Sequence, residues 1–382
     1  MINKKRVIPL EACRARKDSA SKQNNIACFI TPHGFGHAAR ATAVMEAMHH
    51  RMPGLNFEIY SSVPYWFFAE SLAGFFSYHH LITDVGLVQQ TPIQEDLKAT
   101  LEKLDAMLPF DRTQIDHLAE QVRRDGCRLI LCDIAPMGIM VARAAGVPSV
   151  LIENFTWDWI YEAYKAQDVR VNPHIDYLRQ LFNAADHHVQ TEPACCHGPS
   201  DRVTSPVART PRTSAGQIRR RLGIPQKASL VLVTLGGIPP AFELFERLPV
   251  FREYFVIIPG GAETYQVKGN VRLLAHHSGF YHPDLVAASD AVIGKLGYST
   301  VTEVFHAGIP FGYIPRQGFR ESAVLEAFVH EQMCVVALHP EQLVDGSWAE
   351  HVPQLLAMSK IVRKTPNGAE QAAEYICRLL NH

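Results

Sequence analysis

The chain has 382 residues, which at about 150 residues per domain is two to three domains, two being the simplest count. Its 47% hydrophobic and 20% charged residues exclude global disorder, and a net charge of −1 gives neither nucleic acid nor an anionic membrane a reason to be its partner. No apolar run reaches the roughly 18 residues needed to span a bilayer, since Leu129 to Ile152 is broken by Asp133 and Arg143, so a soluble protein is expected.

Residues 1–25 carry seven Lys and Arg against two acidic residues and no apolar signal core, and read as a mobile basic tail. IACFIT (26–31) then reads as a buried strand, and Ala41, Val44, Met45, Met48 and Met52 follow at the spacing of one helix face. Pro53-Gly54 stops that helix and FEIYSS (57–62) forms the next strand. The segment Val63 to Val122 carries no decodable motif. Its Trp66, Phe67, Phe68, Phe75 and Phe76 are read as core packing before the lining of an apolar ligand site. RLILC (128–132), a helix over Met137 to Ala145 and PSVLI (148–152) continue the alternation, which implies a parallel sheet covered by helices.

The stretch from 197 to 225 is rich in Pro, Ser, Thr and Arg and reads as an interdomain connection rather than a packed element. A second series follows: LVLVTL (230–235), YFVII (254–258), VRLL (271–274), AVI (291–293), FGYI (311–314) and CVVAL (334–338). The expected organisation is a Rossmann-like domain over 26–205, a linker over 206–221, and a second Rossmann-like domain over 222–360. Within 361–382, a helix from Asn367 to Leu380 is expected to cross back to the first domain. Two doubly wound halves leave a cleft at the carboxyl ends of their strands, where such sheets bind ligands.

Directly after the first strand, TPHGFGHAAR (31–40) places Gly34 and Gly36 where a backbone turns tightly, with His37 at the first turn of the helix. The third glycine of a dinucleotide fingerprint is absent and no acidic residue ends the next strand, so a nicotinamide cofactor is rejected. Asp133 ends the strand RLILC, where a carboxylate is costly unless paired. A histidine on a neighbouring strand end is a natural partner, and such a pair suits proton abstraction. The plainer alternatives are a tight turn with His37 only capping, and Asp133 only capping the helix near Met137.

In the second half, SDAVIGKLGYSTVTEVFHAGIPFGYIPRQGFRES (289–322) holds most of the signal. Gly297 loosens a turn, and Tyr298, Ser299 and Thr300 open a helix whose amides and hydroxyls suit a diphosphate. Glu303 lies one turn on, where a carboxylate can take ribose hydroxyls; blandly read, the segment is a capped βα turn. The eight cysteines show no C-x-x-C spacing and read as buried thiols in a reducing cytoplasm. The adjacent pairs His49-His50, His79-His80, His187-His188 and His276-His277 cannot chelate one ion together, and no metal site is expected.

With these motifs the sequence resembles the GT-B glycosyltransferases, from residue 26 almost to the end. A particular likeness is to the glycosyltransferase-like N-terminal portion of arabinokinases. It rests on HGFGHA (33–38), NFTWD (154–158), the spacing from Ser289 to Glu303, and Arg316, Phe319 and Glu321. The resemblance implies an α/β fold of two Rossmann-like domains facing each other across a cleft. Likeness to the UDP-glycosyltransferases implies that His37 is the base and that Asp133 orients it. Likeness to the transferase that adds N-acetylglucosamine to the peptidoglycan lipid precursor implies that Glu303 meets the ribose of UDP.

By the same resemblance, Gly236, Gly237, Lys295, Gly297, Tyr298, Ser299 and Thr300 would face the donor phosphates, and Ser278, Phe280 and Tyr281 the base. Arg316 and Glu321 would stand near the donor sugar, in place of the Asp/Glu-Gln pair of plant enzymes. His33, Gly34, Phe35, Gly36, Asn154 and Phe155 would line the acceptor side. The implied activity is metal-independent, inverting transfer from a UDP-type sugar to a small-molecule or lipid-linked acceptor, with no cofactor beyond that co-substrate. The alternatives are a nucleotide-sugar-binding regulatory module and a sugar-nucleotide epimerase or hydrolase.

Overall fold

A computed structural model describes residues 24–91, 94–234, 253–316 and 318–381. The continuous apolar runs are strands buried on both faces, as parallel strands between helical layers must be. In β1 (Asn24–Ile30), Ile26, Cys28 and Ile30 join one core while Ala27 and Phe29 join another. In β10 (Ser229–Thr234), Leu230 and Leu232 divide from Val231 and Val233 in the same way.

The first sheet contains β1, β2 (Leu55–Ser61), β3 (Phe76–His80), β6 (Cys127–Asp133), β7 (Ser149–Glu153), β8 (His187–Thr191) and β9 (Arg202–Thr204). Their order is β3-β2-β1-β6-β7-β8-β9, all parallel. A short hairpin, β4 (Gln89–Thr91) with β5 (Gln94–Glu95), stands apart from it. The second sheet adds β11 (Tyr254–Pro259), β12 (Gln266–Lys268), β13 (Val271–Leu274), β14 (Ala291–Lys295), β15 (Phe311–Ile314) and β16 (Val335–Ala337) to β10. Its order is β12-β13-β11-β10-β14-β15-β16, with only β12 antiparallel. Strand order reverses between β1 and β6 and between β10 and β14, the positions at which such sheets open a crevice.

Two expectations are corrected. Asn24 and Asn25 belong to β1 rather than to a tail, because both pair with β2. Residues 206–221 are not an unpacked connection. Arg209 and Arg219 are buried, and helix Ala215–Arg221 opens on a Ser214–Gln217 capping box. Two of the arginines that made this stretch look solvated are instead paired, Arg209 with Glu303 at 2.9 Å and Arg219 with Asp290 at 2.8 Å.

Helix Gly368–Asn381 lies on helix Phe35–Arg51, burying Ala369, Ala372, Ala373, Ile376 and Cys377 with Ala43, Val44 and Ala47. Where helix Pro136–Ala145 meets the sheet, Gly138 is required by close approach: a Cβ there would stand 2.7 Å from both Phe29 Cβ and Cys132 Sγ. Gly138→Ala should therefore cost about 1–3 kcal/mol of stability, read by urea unfolding.

Candidate functional site

The site grows from two strand ends that the first sheet sets side by side. Ile30, the last residue of β1, pairs with Asp133, the last of β6. Thr31 N–H donates to the Asp133 carbonyl. Gly34, at φ 74°, turns the chain sharply into helix Phe35–Arg51 and brings His37 over that edge. His37 Nδ1 lies 3.2 Å from Asp133 Oδ1, with both residues buried. The His37 pKa is lowered: burial pushes it down, Asp133 pulls it up, and the nearby Arg40 guanidinium pushes it down again.

Arg40 is the residue that sequence reasoning left without a role. Its Nε and Nη2 donate to the two Asp133 oxygens at 2.9 and 2.6 Å, and its Nη1 donates to Asn154 Oδ1 at 2.6 Å. Burial works against the Asp133 charge, and Arg40 together with His37 overcomes it, so the carboxyl titrates below its ordinary value. The signal was present: Arg40 follows His37 at i+3, on the same helix face, beside a buried carboxylate that needs a cation.

Asn154 Nδ2 in turn donates to Glu321 Oε1 at 2.8 Å, joining the NFTWD and R-x-x-F-x-E segments across the two halves. Phe155 packs edge-on to both His37 and Phe319. Arg316 lies over the Phe319 ring at 3.6 Å and pairs with Glu95 of the hairpin at 2.7 Å. His33 packs edge-on to Trp157, and its pKa is lowered by burial and then by Arg316.

One cavity brings these groups together. It is lined by His33, Gly34, Phe35, Gly36, His37 and Phe155 from the first half, and by Lys295, Gly297, Tyr298, Ser299, Thr300, Arg316, Phe319 and Glu321 from the second. Ser299 and Thr300 lie in the first turn of helix Tyr298–Ala307, and a Cβ on Gly36 would meet Ser299 Oγ at 3.5 Å. Lys295 ends β14, and its ammonium has no hydrogen bond or ion pair among the described residues. Burial, then Arg316, pushes its pKa down to about 7. Asn154 stands behind the wall, reaching the cavity only through Glu321.

Ser299 and Thr300 also line a second cavity with Trp66, Phe67, Arg209, His276, Ser278, Phe280 and His282. Phe67 and Phe68 are core residues, whereas Trp66 stacks on His277 at the rim of this space. Tyr281 sits between Arg209 and Arg212, at 5.2 and 4.6 Å from its ring. Glu303 differs from the expectation of a carboxylate open to ligand. Its Oε1 accepts from Arg209 at 2.9 Å, its Oε2 lies 2.8 Å from His282 Nδ1, and it does not line either cavity. A carboxylate this deeply buried needs compensation, which Arg209 and His282 supply well enough to hold its pKa low against burial. Gly236 and Gly237 lie outside the described residues.

The histidine pairs are spent on packing and pairing: His49 stacks on Phe75, His79 pairs with Glu58, and His188 with Glu153. One trio, Glu58, His79 and Asp125, has ligand-type atoms within 4.8 Å of one another. The described cysteines are all free. No helix among the described residues is long and apolar enough to cross a membrane.

Two parallel-type sheets that meet across this cleft define the fold of the GT-B glycosyltransferases. CalG4, the calicheamicin glycosyltransferase, superposes over 95% of this chain and 99% of its own with a TM-score of 0.61 at 17% identity. A UDP-glucosyltransferase from Polygonum tinctorium covers 95% of this chain with a TM-score of 0.60 at 12% identity. No family model matches the sequence. The chain is homologous to L-arabinokinase of Arabidopsis thaliana, 28% identical over 366 residues, which is 94% of this chain but 34% of that protein, so it spans about a third of that relative's length. It is also 24% identical over 280 residues to an uncharacterized glycosyltransferase of Methanopyrus kandleri, covering 68% of this chain and 78% of the relative.

Proposed function

We propose that the protein transfers a glycosyl group, with inversion, from a UDP-type nucleotide sugar to an acceptor hydroxyl. The observation that carries this reading is one cavity with a buried His37–Asp133 contact on one wall and a phosphate-type helix start, Ser299 and Thr300, on the other. His37 Nε2 takes the acceptor proton as the oxygen attacks the anomeric carbon, and Asp133 holds the ring through Nδ1. The bond from that carbon to the diphosphate breaks on the opposite face. Helix amides, the two hydroxyls and Lys295 receive the charge that develops on the leaving oxygens.

In this reading the nucleoside occupies the second cavity, against Phe280, Arg209 and His282. Glu303 then acts on the ribose chiefly by orienting those two residues. The sugar lies between, near Arg316 and Glu321. A binding module would have no use for a histidine aimed at the junction of the two subsites. Incubation with a panel of UDP-sugars, first alone and then with a cell extract, separates the readings: UDP release only with extract is the transferase result. Release without acceptor indicates a hydrolase, an interconverted sugar an epimerase, and binding without turnover a module.

Lys295 gives this reading a pH signature. The ammonium is charged below about pH 7, and an anion bound beside it raises its pKa. UDP-glucose affinity should therefore fall about tenfold between pH 6 and pH 8. His33 and His37, both held below 6.5, stay neutral over most of that range. Calorimetry at the two pH values should find the slope gone in Lys295→Met; a slope that persists removes Lys295 from the phosphate site.

A further inference from the structure

Arg40 is 1% exposed, and two of its three hydrogen-bonding nitrogens, Nε and Nη2, are engaged on Asp133, His37's own anchor, while Nη1 is held by Asn154. The contact of Nη2 with Asp133 Oδ1, at 2.6 Å, falls on the same oxygen that His37 Nδ1 approaches at 3.2 Å. Arg40 Nη2 itself stands 3.2 Å from Nδ1. A guanidinium is always charged and only donates. The Asp133 charge is therefore already matched before the imidazole meets it.

This matters because an unmatched carboxylate beside a histidine pulls it toward the imidazolium, which has no lone pair with which to take a proton. We propose that Arg40 is a positioning residue for His37: by matching the Asp133 charge through its fork, it keeps the ring a free imidazole with Nδ1–H on Asp133 and Nε2 bare toward the cavity. The inference rests on His37 acting as the base of the transfer reaction.

The surroundings are consistent with this assignment. The charged and titratable groups around His37 are Asp133 on β6, Arg40 on its own helix, Glu321 from the second half and His33 from the glycine loop. Glu321 favours the imidazolium, and it is held by Asn154, the third ligand of the Arg40 fork. The Tyr298 ring faces the guanidinium at 5.1 Å. Arg40 thus takes its hydrogen bonds from the first half and a ring contact from the second.

The test follows the His37 imidazole by NMR titration in the full chain, with His37→Gln identifying the resonance. Arg40→Met should raise the His37 pKa by about 1–3 units, the span expected when a neighbouring carboxylate loses its counter-charge. Arg40→Lys, which keeps the charge, should return it toward the parent value. Arg40→Met leaves Asp133 buried and unpaired, so the protein can fail to fold. The pair Asp133→Asn and Asp133→Asn/Arg40→Met then reads the arginine alone, and His37 should titrate at least about one unit lower in the single variant. Equal His37 titrations within that pair, or between parent and Arg40→Met, would overturn the assignment. The readout needs no turnover, so failure of glycosyl transfer with every UDP-sugar would remove the base role while leaving the charge relation to be judged on its own.

Discussion

His37→Ala is expected to lower the transfer rate by roughly 10²–10⁴-fold, with donor affinity nearly unchanged, because a positioned general base contributes about that much and does not hold the donor. The loss should appear in kcat more than in KM. In the parent, the rate should hold to a pH below 6.5 before falling, since burial and the Arg40 charge lower the imidazole pKa against the pull of Asp133. Asp133→Asn should cost less in rate, because the ring survives. It also leaves Arg40 without its carboxylate, so a loss of stability should accompany it. Initial rates of UDP release across pH 5–9 check both variants. A His37→Ala protein that is folded and turns over normally would remove the base from the proposal.

The contact between His37 and Asp133 was legible because it depends on strand ends, and strand ends follow from apolar runs. IACFIT and RLILC read as buried strands, and the residues just past them had to share one edge if the strands were neighbours. The second sheet was legible for the same reason, from LVLVTL to CVVAL. Three features were not. Strands β3, FSYHH, and β8, HHVQT, carry little apolar signal, because β3 is an edge strand and β8 draws polar partners such as Glu153 and Asp201. The basic segment before residue 221 looked solvated by composition, yet Arg209 and Arg219 are interior counter-charges, and a counter-charge cannot be told from a surface charge without its partner. The occupancy of Glu303 follows from that same omission: the helix spacing placed it correctly, but nothing local to it names an arginine 94 positions earlier.

Glu303→Ala should destabilise the protein by about 3–5 kcal/mol, the usual cost of stranding one member of a buried ion pair. Arg209 would be left buried, facing Phe67 and Tyr281 with no carboxylate, and His282 would lose its partner at 2.8 Å. Because the Glu303 pKa is held below 4.5 in the folded state, its contribution is complete at neutral pH and is lost as the pH falls through that depressed value. The stability difference between parent and Glu303→Ala should therefore narrow in acid. Glu303→Gln keeps the volume and an oxygen for Arg209, so it should fold and allow the binding question to be asked separately. In that variant, UDP affinity should drop by roughly 1.5–3 kcal/mol, the range for a hydrogen bond to a charged group. The loss arises because a neutral amide holds Arg209 and His282, which line the nucleoside side of the cleft, less firmly than the carboxylate does. Urea unfolding of the alanine variant and UDP calorimetry of the glutamine variant are independent measurements. Unchanged UDP affinity in folded Glu303→Gln would leave the carboxylate a structural pair only, and the ribose would then have to be held by Arg209 and His282 without it.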